Sequence, residues 1–438
     1  MIPVVFPFPA APTPPRLLPF MILLLTVAVA AQGTWTRLNV PTLQALRHVQ
    51  FVDAETGWAA GDSGGIVHTG DGGVTWEIQS SVATNSISDL FFLDAQRGWA
   101  TYWNYSTPPY GTVILSTTNG GQTWESSDYP AENVFLTSVF FHDSLNGLAG
   151  GLLGEINYTE DGGQTWTPAT LDSGSADNLP WRSFHFLDRN FGFGCGGRFD
   201  LPGVIWRTFN GGLSWDSSRV GPEPIQKMAF LDPVTIIGVG GDFEYGSGAV
   251  RSTDGGGTWD YRSLETFGVA FGLGFRTPRE GWAALGFARE FIRTTNGGLS
   301  WGPEETPENS SILDIVFPDS LTGYAVGDSG RIYKYTSQGV GIGDETVSRI
   351  PESHRLYPNY PNPFNPATRI PYRLATAAAV RIEVFSVLGE RVAVVVDERR
   401  PAGVYEARFE GGGLPAGVYL VRMQAGAYRG VEKMVLVK

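Results

Sequence analysis

A single cysteine, Cys195, stands in a chain of 438 residues, which excludes any intramolecular disulfide. Stability must therefore come from topology and packing, and the thiol, set in the glycine-rich apolar stretch Phe191 to Gly197, reads as buried and inert. Charged residues are scarce at 17%, too few for a chain that is disordered or coats nucleic acid. The 44 acids against 31 bases give a net charge of −13, which repels polyanions, so no nucleic-acid partner is expected. Only four bases are lysines: Lys227, Lys334, Lys433 and Lys438. The five histidines (His48, His68, His142, His185, His354) show no HExxH or paired-ligand spacing, so no metal and no cofactor is expected, and His142 and His185 read as packing residues.

Long apolar runs are also missing, with one exception. Leu17 to Ala31 (LLPFMILLLTVAVAA) follows Arg16 and ends in small residues in cleavage-site register. It is shorter than the ~20 residues of a bilayer span, so residues 1–31 are expected to be a secretory signal peptide. What is plentiful is glycine (57), proline (29) and aromatic side chains (13%), which suits many short strands joined by tight turns and excludes a predominantly α fold.

The chain repeats itself. Thr69 to Trp76 (TGDGGVTW) recurs at Thr117–Trp124, Thr159–Trp166, Thr208–Trp215, Ser252–Trp259 and Thr294–Trp301, a pattern of [ST]-x-[DN]-x-G-x-[ST]-W. With Trp35 included, the tryptophans are spaced 41, 48, 42, 49, 44 and 42 residues apart, the period of a four-stranded propeller blade. Before each box comes an alternating apolar strand ending in Asp, then a short turn, then Gly with an aromatic or apolar residue, as in Phe51-Val52-Asp53 before Gly57-Trp58. The Asp/Asn-Gly-Gly segment supplies positive φ for a tight turn. The box residues Asp71, Asn119, Asp161, Asn210, Asp254 and Asn296 are therefore expected to be structural. First halves of the repeat number seven and complete second halves six, so Gly33 to Leu38 is expected to supply the missing outer strand of the last blade and close the ring. The expected fold is all-β: a seven-bladed β-propeller over 32–338, a linker at 339–353, and a small Ig-like β-sandwich over 354–438.

These boxes resemble those of the Asp-box (BNR) propellers, a group that includes sialidases, two-propeller xyloglucanases, sortilin-type receptors and photosystem II assembly-factor-like proteins. In that group the boxes are structural and lie opposite the usual active site, so the resemblance implies a fold and says little about activity.

The C-terminal module carries NYPNPFNPATRIPYRL at Asn359–Leu374, then VRIEVFSVLGE, two AGVY motifs and a final KMVLVK. It closely resembles the C-terminal sorting domain of type IX secretion substrates. That resemblance implies type IX machinery as a partner and a secreted or cell-surface destination reached through the periplasm.

Two motifs look catalytic. Gly61-Asp62-Ser63-Gly64-Gly65 reproduces a serine-protease nucleophile motif, but blade seven repeats it as Gly327-Asp328-Ser329-Gly330 at the same place, so both read as turns. Arg369-Ile370-Pro371 is similar to a sialidase motif, but it lies inside the sorting signature. A site is instead expected on the face bearing the loops between the second and third strands (b–c) and between one blade and the next (d–a). Candidate ligand contacts there are Tyr102, Trp103, Tyr105 and Tyr110 of blade two, Arg198, Phe199 and Asp200 of blade four, and Asp242, Glu244 and Tyr245 of blade five. Aromatics beside carboxylates suit sugar stacking or an aromatic anchor for a peptide. The reading is a monomeric, non-catalytic binder of an extracellular protein or glycan. The alternative is a sialidase-like glycoside hydrolase acting on extracellular polysaccharide, which needs two carboxylates about 5–10 Å apart among Asp62, Asp200, Asp242, Glu244, Glu290 and Asp328.

Overall fold

The computed structural model describes residues 33–172, 178–337 and, apart from positions 358, 360, 361, 388, 402 and 427, residues 354–437. The expected signal peptide at 1–31 and linker at 339–353 lie outside these residues.

From Thr34 to Thr336 the strands form seven antiparallel sheets of four strands, in sequence order, as a β-propeller. Their innermost (a) strands are Leu46–Phe51, Ile87–Phe92, Leu136–Phe141, Trp181–Phe186, Ile225–Phe230, Gly272–Phe275 and Ile312–Val316. The fourth sheet gains a short parallel strand, Thr170–Leu171, along Ser214–Val220. The seventh is completed from the N-terminal side. Thr34–Arg37 pairs antiparallel with Ile332–Thr336, with Trp35 opposite Tyr335, and the Trp35 ring meets Trp282, Phe291, Phe317 and Tyr335.

The repeated residues explain themselves in packing. The last aromatic of an inner strand lies under the glycine that opens the next strand: a Cβ on Gly57 would come within 2.6 Å of the Phe51 ring, and one on Gly98 within 2.5 Å of Phe92. The aromatic after that glycine stacks on the next blade, Trp58 on Phe92 at 3.5 Å, Trp99 on Phe141 at 3.6 Å and Tyr324 on Phe51 at 3.9 Å. Its polar end then bonds a box carbonyl of that blade, as Trp58 Nε1 donates to Gly120 O at 3.1 Å and Tyr324 OH to Gly72 O at 2.7 Å. At these three interfaces an aromatic stack is thus pinned by one hydrogen bond, which satisfies the polar tip of a buried ring.

The boxes are turn clamps. In the first, Asp71 accepts from Thr69 Oγ1 (2.8 Å), Thr75 N (2.9 Å) and Thr75 Oγ1 (2.6 Å), while Gly73 N donates to Thr69 Oγ1. Gly72 and Gly73 sit at φ +67° and +79°. Asn119, Asp161, Asn210, Asp254 and Asn296 repeat the arrangement. The aspartate that ends the apolar strand has a matching task at the a–b turn: Asp53 Oδ1 accepts from Glu55 N and Thr56 N at 2.8 and 2.6 Å.

The C-terminal module consists of two sheets. One contains Arg355–Leu356, Ala367–Leu374 and Gly403–Glu410; the other contains Arg391–Arg400, Ala378–Ser386, Gly417–Ala425 and Tyr428–Leu436. They share one apolar core that includes Ile370, Tyr372, Phe409, Ile382, Val421 and Met434. The two ends of the signature meet here. Phe364 N donates to Val435 O, Val437 N to Phe364 O, and Asn362 bonds both Lys433 O and Val435 N. In each AGVY motif the tyrosine hydroxyl donates to the carbonyl of the proline four residues earlier, Pro401 or Pro415.

Candidate functional site: the channel and the loop face

The inner strands surround a channel, and six of the seven carry a bulge after their first residue. The third strand position then reads His48, Asp89, Ser138, Ser183, Lys227 and Asp314, with Gly272 in blade six. The six polar residues line a cavity of about 180 Å³, together with His185 and Gln50. The sequence reading missed Asp89, Lys227 and Asp314; the signal was the polar residue at one position of an otherwise apolar strand, repeated from blade to blade.

Most of this polar ring bonds backbone in the next blade. Asp314 accepts from Val49 N (3.2 Å), Asp89 from Val139 N (2.8 Å) and His185 Nε2 from Met228 N (3.3 Å), while Thr137 Oγ1 donates to Trp181 O (2.6 Å). Gln50 holds both the N–H and the C=O of Phe92. Lys227 Nζ lies 3.4 Å from Asp314 Oδ2, with side-chain exposures of only 27% and 6%. Burial raises the Asp89 carboxyl to about 6 against the attraction of Lys227. Burial, with Lys227 adding to it, lowers His48 and His185 to about 3, so both imidazoles are neutral. This is a cluster of inter-blade clamps around one buried ammonium. His185 therefore acts as a polar clamp, while His142 packs on Phe140 and Phe186. Cys195 is buried, and burial holds its thiol at about 11, which keeps it unreactive.

Both GDSG segments are 3₁₀ turns with the serine at positive φ, +55° for Ser63 and +54° for Ser329. Asp62 pairs with Arg47 (2.6 Å) and Asp328 with Arg331 (2.5 Å). Among the described residues no group of three or more His, Cys, Asp or Glu side chains is placed to hold a metal ion.

The sequence candidates fall into two groups. In blade two, Trp103 Nε1 donates to Leu136 O (2.6 Å) with its ring on Phe135, and Tyr102 packs against a blade core. Tyr105 and Tyr110 are exposed. In blades four and five the candidates come together. Asp242 is buried and its Oδ1 caps the turn, accepting from Glu244 N and Tyr245 N at 2.9 and 2.6 Å. The Tyr245 hydroxyl is raised by Glu244 first and by Asp242 and Asp200 after it, which places three carboxylates within electrostatic reach of one exposed ring. Arg198 reaches Asn178 O at 3.4 Å.

Around these residues runs an arc of exposed rings. Phe199 lies 5.8 Å from Phe243, Phe243 lies 6.4 Å from Phe267, and Phe271 lies 6.3 Å from Phe287. Phe199, Phe243, Phe267 and Phe287 are 38%, 48%, 67% and 63% exposed. All stand on b–c or d–a loops of blades four to six, hence on one face. A larger depression of about 600 Å³ lies between the outer strands of blades one and two, beside Ile78, Gln79 and Asn119 and away from the channel.

Residues 27–132 match the family described as Photosynthesis system II assembly factor YCF48, and residues 359–438 match the Secretion system C-terminal sorting domain. The chain joins a YCF48-like propeller to a sorting domain. The chain is 24% identical over 342 residues to the photosystem II stability/assembly factor HCF136 of Arabidopsis thaliana, covering 69% of this chain and 79% of that one. It is 26% identical over 157 residues to the photosystem II assembly lipoprotein Ycf48 of a Synechococcus species, 34% of this chain and 44% of that one. A solved structure of YCF48 bound to D1 peptide superposes with a TM-score of 0.56 at 20% identity, over 69% of this chain and 97% of that one. The GH74 xyloglucanase of Xanthomonas campestris gives 0.54 at 14% identity, over 91% and 75%. Likenesses at these identities concern the fold. The sorting domain of this YCF48-like propeller supports export to the cell surface or the medium and indicates the type IX secretion system as a partner.

Proposed function

We propose that the protein is an exported, non-catalytic propeller that holds an extracellular protein on its loop face, after passage through the periplasm. The observation that carries this reading is the division of polar groups. The buried channel carboxylates Asp89 and Asp314 bond backbone of the next blade and Lys227, and Asp62 and Asp328 are engaged by arginines, whereas the loop face leaves an aromatic arc open to solvent. A protein ligand is supported by the like-folded YCF48 with its bound D1 peptide. A screen of the mature chain against a glycan array, a polysaccharide panel with reducing-sugar detection, and a peptide library tests the reading. Saturable peptide binding without sugar release is expected; release of reducing sugar from any polysaccharide, abolished by a loop-face carboxylate substitution, would establish the hydrolase instead.

A further inference from the structure

The arc of blades four to six does not stand in neutral surroundings. Its loops (197–202, 221–224, 242–246, 264–271 and 285–290) contain six carboxylates, Asp200, Glu223, Asp242, Glu244, Glu265 and Glu290, against two arginines, Arg198 and Arg289. Two of these acids are almost wholly buried in the loop end of blade five, Glu223 at 3% and Asp242 at 2% exposure. Glu223 Oε1 accepts from Tyr261 OH at 2.8 Å and Asp242 Oδ1 caps its turn, but Glu223 Oε2 and Asp242 Oδ2 have no hydrogen-bond partner. Both of those oxygens are closed to solvent, so these two acids act on the loop face through their field, while Asp200 and Glu244 are exposed and open to a cationic donor. Exposed rings beside them add attraction for the same kind of group, since an ammonium or guanidinium is drawn to an aromatic face.

Among the described residues the propeller's first and last strands end on the opposite side, where Thr34 pairs with Thr336 at the end of a third strand, beside the Asp boxes.

We propose that the loop face of blades four to six docks an extended protein segment in which a lysine or arginine stands next to large apolar side chains, the apolar groups on Phe199, Phe243 and Phe267 and the cation toward the exposed Glu244 and Asp200. This rests on the binding-module reading above and specifies its ligand class; a neutral glycan would use the rings without depending on the charge of the face.

The test measures fluorescence anisotropy of the full mature chain with three labelled 12-residue peptides: one alternating Arg with Phe and Leu, the same peptide with Glu for Arg, and one with Gln for Arg. Xyloglucan and cellulose oligosaccharides are run alongside. The Arg peptide is expected to bind at least tenfold more tightly than the Gln peptide and the Glu peptide not at all, with affinity falling at least tenfold from 50 to 500 mM NaCl. Phe267→Ala, an exposed position whose loss leaves the core intact, should weaken binding at least fivefold, and Glu244→Gln should lower the salt dependence. Equal binding of all three peptides, no binding of any, or unchanged affinity in both variants overturns the proposal. Oligosaccharide binding without peptide binding also overturns it while leaving a binding module; sugar release overturns the underlying reading as well.

Discussion

Replacing Lys227 with Met should cost about 3–5 kcal/mol near neutral pH, the range for removing one partner from a buried charge cluster. The site justifies that range, because Asp314 is 6% exposed beside the ammonium and Lys227 is the largest attraction opposing the rise of the Asp89 carboxyl. The cost should also depend on pH. A carboxyl whose folded pKa is about 6 keeps a proton that the unfolded chain releases near 3.8, so its contribution to stability falls as pH rises between those values. For Asp89 the interval corresponds to about 3 kcal/mol. Without Lys227 the folded value climbs further, and the fall continues above pH 6. His48 and His185, lowered to about 3, act in the opposite sense: their stability is fully present above about 6.5 and is lost as pH falls toward 3. Since Lys227 is one cause of that lowering, its removal lessens the acid loss. The Asp89 effect makes the deficit of the variant grow from pH 5 to pH 8, while the histidine effect is confined to more acid solution because burial, the larger cause, persists. Urea unfolding followed by near-UV circular dichroism at pH 5, 6.5 and 8 measures it, and adding Asp89→Asn to Lys227→Met should remove much of the growth. A deficit below about 1 kcal/mol at pH 8, or one constant across the range, would refute the clamp-and-ammonium account of the channel.

Trp35→Ala should lower stability by about 2–4 kcal/mol, below the full range for a core tryptophan because the ring is only part-buried; deletion of residues 33–40 should do more, and an unchanged melting temperature in that deletion would deny ring closure by this strand. Asp254→Ala should cost about 0.5–2 kcal/mol through the donors lost at Gly257, Thr258 and Ser252 and leave peptide binding intact, as anisotropy would show. Truncation after residue 337 should leave a folded propeller by circular dichroism, and in a host with type IX secretion fractionation should find it in the periplasm while the full chain reaches the surface or medium.

The scaffold was legible because one physical solution is written six or seven times. A glycine that must clear a phenylalanine ring, an aspartate that must cap a turn and a tryptophan that must fill a blade interface leave the same residue at the same spacing. The outer strand of the last blade could be located from Trp35 alone, since a lone second-half signature needs a partner. The channel was less legible: His48, Asp89, Lys227 and Asp314 share a strand position but no residue type, and only the bulge that turns that position inward makes them one group. The loop face was half legible. Phe199 and Tyr245 stood out beside carboxylates, whereas Phe267 and Phe287 come from later loops that have no common spacing and meet the others only in three dimensions.

Connection lengths show how differently the two faces are constrained. All seven a–b turns contain five residues, and each of the six boxes spans eight from its Ser or Thr to its Trp. On the other face the b–c connections run from three residues after Asp242 to six after Asn104 or Gly196, and the wholly described d–a connections from four after Val220 to eight after Arg37 or Ser263. A turn held by bonds between its own Asp or Asn, its Ser or Thr and its backbone N–H groups tolerates no change of length, because an inserted residue would break that set. A connection that only has to bridge two strands over solvent tolerates many. Variation that could be selected for a ligand therefore had one place to accumulate, the face on which the aromatic arc and its carboxylates stand.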